Sequence, residues 1–298
     1  MSFYARGVDA VGVVDRTGPG AARALGRVRS LLLAAHPAPA AAVTAVVTAL
    51  AAASGRGVTG TALIGASVLA GQLSIGWSND AVDAARDTVA ARADKPLATG
   101  AVSRRTVAVA AACALTACVP LSLASGRSAG SLHLVGVAAG WAYNLGVKRT
   151  AWSWLPYGLA FGLLPAYLTR ALPGSPWPHW WAPTAAALLG VGAHAANVLP
   201  DIDDDLRAGV RGLPQRLGGR GARVLAAGAL GAGSAVLLCG PSGPVDLSGV
   251  LGLTAAGALS SAVVLWPPGR SRAPFLACLA LAGADVLLLL LRGGRLAG

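Results

Sequence analysis

Apolar runs long enough to cross a bilayer recur along the whole chain, and that recurrence constrains the fold more than any other feature. A helix needs about 17 to 25 predominantly apolar residues to span the hydrocarbon layer. Nine stretches qualify: 31–53, 58–77, 104–125, 131–147, 153–172, 180–199, 222–239, 246–266 and 272–292. Breaker clusters such as "SGRSAG", "LPGSPWPHW" and "WPPGRSR" separate them. The expected fold is all-α, a polytopic membrane protein with nine transmembrane helices. Residues 1–30 are expected as a tail and residues 31–298 as a single transmembrane domain.

Charge sets the expected orientation. Only 12% of residues are charged, against about a quarter in a soluble domain. The net charge of +12 does not indicate nucleic acid, because basic patches interleaved with aromatics are missing. Of 24 Lys and Arg residues, all but Arg56, Arg127, Arg170, Arg292 and Arg295 fall on the side that carries the N-terminus. By the positive-inside rule the N-terminus is cytoplasmic and the C-terminus outside, in the plasma membrane. Trp152, Trp154, Trp177, Trp180, Trp181 and Trp266 lie near span ends, where an interfacial belt belongs. Cys113, Cys118, Cys239 and Cys278 fall inside apolar runs without metal-type spacing and read as buried structural thiols.

The acids are distributed unevenly. The chain has no glutamate, and eight of its 12 acidic residues occupy two loops on one membrane face. Asp80, Asp83, Asp87 and Asp94 follow the second span; Asp201, Asp203, Asp204 and Asp205 follow the sixth. Each cluster follows the second helix of a four-helix set, the pattern of an internal duplication. If the second helix continues, Asn79, Asp83 and Asp87 share one face within an arc of about 80°. Asp80 lies about 60° to the other side of Asp83, toward the site or toward water. Asp201 and Asp205 repeat the i, i+4 spacing. Two such carboxylate edges would repel unless cations lay between them. Hard oxygen ligands suit Mg²⁺, which completes its shell with water and phosphate oxygens. Arg86, Lys95, Arg104, Arg207 and Arg211 stand nearby to neutralise a leaving diphosphate.

The chain resembles the UbiA superfamily of intramembrane prenyltransferases. The resemblance rests on "NDAVDAARD" with "DKPLATG" after it, on "YNLGVKRTAWSWLPYGLAFGLLPAY", and on "DIDDD". It covers nearly the whole chain and implies a helical bundle with a central cavity. It implies that Asn79, Asp83, Asp87, Asp201 and Asp205 hold Mg²⁺, with Asp83, Asp201, Lys148 and Tyr143 central to the chemistry. Lys95, Arg86, Arg149, Asn197, Arg211 and Asn144 would contact substrate. The implied partners are an isoprenyl diphosphate, a small-molecule acceptor (aromatic or otherwise lipid-soluble) and membrane lipids. The implied reaction is Mg²⁺-dependent transfer of the isoprenyl group to that acceptor. Two positions depart from the pattern: His36–Pro37 stands where many members carry Arg-Pro or Asp-Lys-Pro, and Gly212 replaces a threonine.

Other readings compete. A membrane terpene cyclase of the same superfamily would use the clamp without an acceptor. A transporter would need its carboxylates near the bilayer midplane, whereas these lie at span ends. A CDP-alcohol phosphotransferase motif would require glycine at position 84, which is alanine. His36 reads as a polar residue at a span boundary, and His194 either faces the cavity or packs. Asp285, inside the last span, is a functional candidate or a carboxyl paired with a neighbouring helix.

Overall fold

The computed structural model describes residues 19–89, 95–243, 247–267 and 273–297. Among them the chain forms α1 (Pro19–Ala34), α2 (Pro37–Ala53), α3 (Val58–Val89), α4 (Arg104–Ala124), α5 (Arg127–Leu145), α6 (Leu155–Arg170) and α7 (Trp181–Val198). Then follow the short α8 (Ile202–Arg207), α9 (Leu213–Cys239), α10 (Leu247–Leu265) and α11 (Ala273–Leu291). Single 3-10 turns stand at Val147–Arg149, Leu199–Asp201 and Gly293–Arg295. From α2 onward each long helix packs on the next, and α11 closes against α2. Large apolar side chains such as Val109, Leu251, Leu276 and Leu287 remain exposed on the outer faces, as hydrocarbon solvent permits.

Each of the nine expected spans falls on a helix, and fewer meet a strict test of length and apolarity. Among the described residues, five helices are long and apolar enough by length and composition: Val58–Arg86, Arg104–Ala124, Trp181–Arg207, Leu213–Cys239 and Ala273–Leu291. A sixth arises if the bent pair Leu25–Ala34 and Pro37–Ala53 counts as one span. The shortfall has physical causes: α6 has only 16 residues, and α5 includes arginine, histidine and asparagine among its 19. The chain is an integral membrane protein.

The expected first span, 31–53, is broken, and residues 19–30 belong to a helix. The break lies at His36, whose backbone is left-handed (φ 52, ψ 64) and precedes Pro37 at the start of α2. Proline disfavours helical geometry in the residue before it, so the axis turns by 66°. The bend rests on α3: a Cβ at Gly76 would collide with the Ala35 carbonyl oxygen. Trp77 Nε1 donates to Leu31 O at 2.8 Å. Two smaller expectations also change. Trp181 is buried in the core rather than in a belt, and Cys113 and Cys239 are exposed on the bundle surface.

The 32 residues of α3 make a helix about 48 Å long at 1.5 Å per residue. Its final turns therefore project past the apolar segment and carry the first aspartate cluster as continuous helix.

Candidate functional site

Two cationic groups converge on Asp83, which is buried. Lys148 Nζ donates to its two carboxylate oxygens at 2.7 and 2.6 Å and to Asn79 Oδ1 at 3.2 Å. Arg86 Nη2 donates to Asp83 Oδ2 at 3.0 Å from one turn along α3. Lys148 arrives on the 3-10 turn after α5, and Asn144 sets that helix against α3. Its Nδ2 donates to Ile75 O at 2.9 Å and to Ser78 Oγ at 2.7 Å. Asn144 thus acts as a bracket between helices. Burial pulls the Lys148 ammonium below the ordinary lysine range, and its hydrogen bonds to Asp83 oppose that shift.

Asp80 points the other way and is also buried. Its Oδ1 accepts from Lys95 Nζ at 2.7 Å and lies 2.8 Å from His36 Nε2. Lys95 Nζ and His36 Nε2 are 3.1 Å apart. His36 is therefore more than a boundary residue: the left-handed bend aims its ring at α3. Asp87 continues α3, but its side chain, like Asp94, lies outside the described residues.

The second cluster follows α7. Asp201 ends a 3-10 turn and begins α8; its side chain is exposed, while Asp205 is half-buried. Gln215 Nε2 donates to Asp205 Oδ2 at 2.8 Å. Asp204 pairs with Arg207, and Arg104 Nε donates to Ala81 O. Arg149, Asn197 and Arg211 have exposed side chains around this rim.

The two clusters meet through Gly212. A Cβ there would stand 2.7 Å from both Lys148 O and Gln215 Oε1, and 2.8 Å from Ser153 Oγ. Leu213 N donates to that hydroxyl at 2.8 Å, and His194 Nε2 lies 3.1 Å from it. The backbone after α8 is thereby pressed onto the turn that bears Lys148. Asp205 lies in the field of Arg86, Asp201 and Lys148, and the Tyr143 hydroxyl in the fields of both Asp205 and Asp83. The Tyr143 ring meets Tyr157 edge-on at 5.2 Å and His194 at 5.6 Å. His194 is thus packed rather than open to a cavity.

Beneath Asn79, one turn down α3, begins a cavity lined by Ile75, Gln72, Val68, His133, Gly136 and Phe161, among others. The cavity's lining is mostly apolar, with Gln72 and His133 as polar members, and Ile75 links it along α3 to Asn79. Asp285 is elsewhere: Ser234 Oγ of α9 donates to its Oδ1 at 2.5 Å, the helix-paired reading.

The donors fit a hard divalent cation. Asn79 Oδ1 and the Asp83 carboxylate already converge on one cationic group, the Lys148 ammonium. Among the described residues no three His, Cys, Asp or Glu side chains form a metal-holding group. A metal here would take few protein oxygens and fill its shell with water and ligand oxygens, as Mg²⁺ favours. Sequence reasoning left out His36, Asp80 and Gln215 as site residues. His36 had one signal, a polar residue directly before a proline in an otherwise apolar run; Gln215 had none.

The chain resembles solved structures over most of its length. A UbiA homologue from Archaeoglobus fulgidus bound to GPP and Mg²⁺ matches with a TM-score of 0.67 and 14% identity, covering 87% of this chain and 98% of that one. A UbiA homologue from Aeropyrum pernix K1 matches at 0.64 and 20%, covering 87% and 97%. A structure of digeranylgeranylglyceryl phosphate synthase in membranes matches at 0.64 and 15%, covering 91% and 99%. No curated protein sequence matches the chain. Residues 40–289 match the family described as UbiA prenyltransferases; with most of its length inside that match, the chain belongs to the UbiA prenyltransferase family.

Proposed function

We propose that this protein transfers an isoprenyl group from an isoprenyl diphosphate to a small lipid-soluble acceptor within the membrane, using Mg²⁺. The observation that carries this is the gathering of Asn79, Asp83, Arg86, Lys148 and Asp205 one helical turn beyond Ile75, which lines a mostly apolar cavity. Family membership supports it, as do related folds described with GPP, DMAPP and Mg²⁺.

Asn79, Asp83, Asp87, Asp201 and Asp205 would hold the metal, which when bound neutralises diphosphate charge and eases its departure. Lys95 and Arg86, with Arg149 and Arg211 at the rim, pair with the remaining diphosphate oxygens. Asn197 stands at the same rim. The chain lies along Ile75, Gln72 and Val68, away from water. The allylic C–O bond breaks with its electron pair leaving on the diphosphate. Tyr143 presents its ring and hydroxyl beside the electron-poor carbon. The acceptor supplies the electron pair for the new bond and then loses a proton. The basic excess on one face supports cytoplasmic placement of both aspartate loops and the N-terminus, in the plasma membrane. The domain reading is one transmembrane unit from residue 31 onward.

Product analysis tests this. Purified protein with Mg²⁺, allylic diphosphates of increasing length and aromatic acceptors should yield prenylated acceptor, with diphosphate release that depends on acceptor concentration. A hydrocarbon or alcohol formed without acceptor would replace transfer by cyclisation. No diphosphate release from any allylic substrate would overturn both.

A further inference from the structure

Lys148 holds the very oxygens that the metal would need. Its ammonium spans Asp83 Oδ1, Asp83 Oδ2 and Asn79 Oδ1 at 2.6 to 3.2 Å, and the side chain is only 6% exposed. A cation bonded to those oxygens would stand beside the ammonium, and like charges so close repel strongly in a buried site. We propose that Lys148 is a resident counter-cation: it holds Asn79 and Asp83 until metal and diphosphate arrive together, then passes its ammonium to the diphosphate. The inference rests on the diphosphate reading above.

Three features make the exchange physical. The ammonium sits on a flexible four-carbon stem, carried by a three-residue turn after Gly146 rather than within a long helix. Arg86 remains on Asp83 Oδ2, so that carboxylate keeps a cationic partner while Lys148 moves. A diphosphate brings the acceptor oxygens that a buried ammonium requires once it leaves Asp83. Metal alone would strand Lys148, and metal with diphosphate would not. Each ligand must then raise the affinity for the other by the same factor.

Mn²⁺ binding to the full chain in detergent, read by electron paramagnetic resonance, tests the idea without turnover. Lys148→Met should bind Mn²⁺ at least about tenfold more tightly than wild type in the absence of diphosphate, since one charge-assisted competitor is gone. Lys148→Gln should move the same way and serves if the Met variant does not fold. Lys148→Arg keeps the charge and should stay as weak as wild type. Arg105→Met, an equal charge change on the exposed face of α4, should leave Mn²⁺ affinity unchanged. Adding a geranyl thiolodiphosphate, which does not ionise readily, should tighten Mn²⁺ in wild type far more than in Lys148→Met. Equal Mn²⁺ affinities for wild type and both neutral variants would overturn the counter-cation while leaving the clamp intact. Wild type that binds no Mn²⁺ even with the analogue would overturn the clamp reading as well.

Discussion

His36 Nε2 stands 2.8 Å from Asp80 Oδ1, across 44 residues of chain. The contact joins the bend between α1 and α2 to the helix that carries the first aspartate cluster. Lys95, from the segment after α3, completes the group on the same oxygen. Asp80 is flanked by Asn79 and lies three residues before Asp83, so whatever holds Asp80 also sets the rotation of α3 at the site.

Asp80→Ala would leave the Lys95 ammonium, only 16% exposed, without its carboxylate. Breaking a buried pair from one side is expected to cost about 3 kcal/mol. His36→Ala removes one hydrogen bond and should cost about 1 kcal/mol. Unfolding in detergent should therefore rank Asp80→Ala below His36→Ala and both below wild type. A wild-type melting temperature for Asp80→Ala would show that the group does not brace the bend.

Asp83→Ala and Asp201→Ala should each lower diphosphate release about a hundredfold or more. The double variant should be hardly worse, because metal ligands fail as a unit. Lys95→Ala removes one contact of several and should cost about tenfold. Independent, multiplying losses for the two aspartates would place them in separate sites.

Gly212→Val should be damaging although its backbone (φ −66, ψ 177) is ordinary. The obstacle is space, since a Cβ would enter the Lys148 carbonyl and Ser153 hydroxyl. Overpacking of this kind costs about 1–3 kcal/mol. The displaced turn should also raise KM for the diphosphate. A variant with unchanged KM and stability would mean that the Gly212 contact does not position Lys148.

Orientation can be read chemically. In a chain with Cys113 and Cys239 replaced by serine, a cysteine placed at Ala208, exposed beyond α8, should react with a membrane-impermeant maleimide only after cells are opened. Labelling of intact cells would reverse the assignment of both aspartate loops.

The parts of this molecule that could be read from residue order are those with a strict period. Asn79 and Asp83 share a face because α3 stays helical past its apolar segment, and the i, i+4 spacing announces that. The direction of Asp80 was open at about 60° from Asp83, because its partners come from the bend at His36 and from Lys95, neither of them near it in sequence. The bend itself was hidden inside an apolar run whose composition hardly changes across Pro37. Counting apolar residues set the expected span at 153–172, whereas the helix there, α6, has 16 residues. Lys148 was marked as a diphosphate partner by resemblance; its grip on Asp83 depends on how α5 lies against α3, which no local pattern encodes.

The Asn144 bracket has a consequence for how this region can vary. From the residue that pins α5 to Ile75 and Ser78, only the stretch 145–147 separates Lys148, whose ammonium must reach Asp83. Each added residue would shift the ammonium by about 1.5–3.3 Å, depending on whether it enters as helix or extended chain, more than the tolerance of a hydrogen bond. Insertions and deletions that the surface loops can absorb would disconnect the cation here. Leu145, Gly146 and Val147 are therefore a spacer whose length matters more than its lettering.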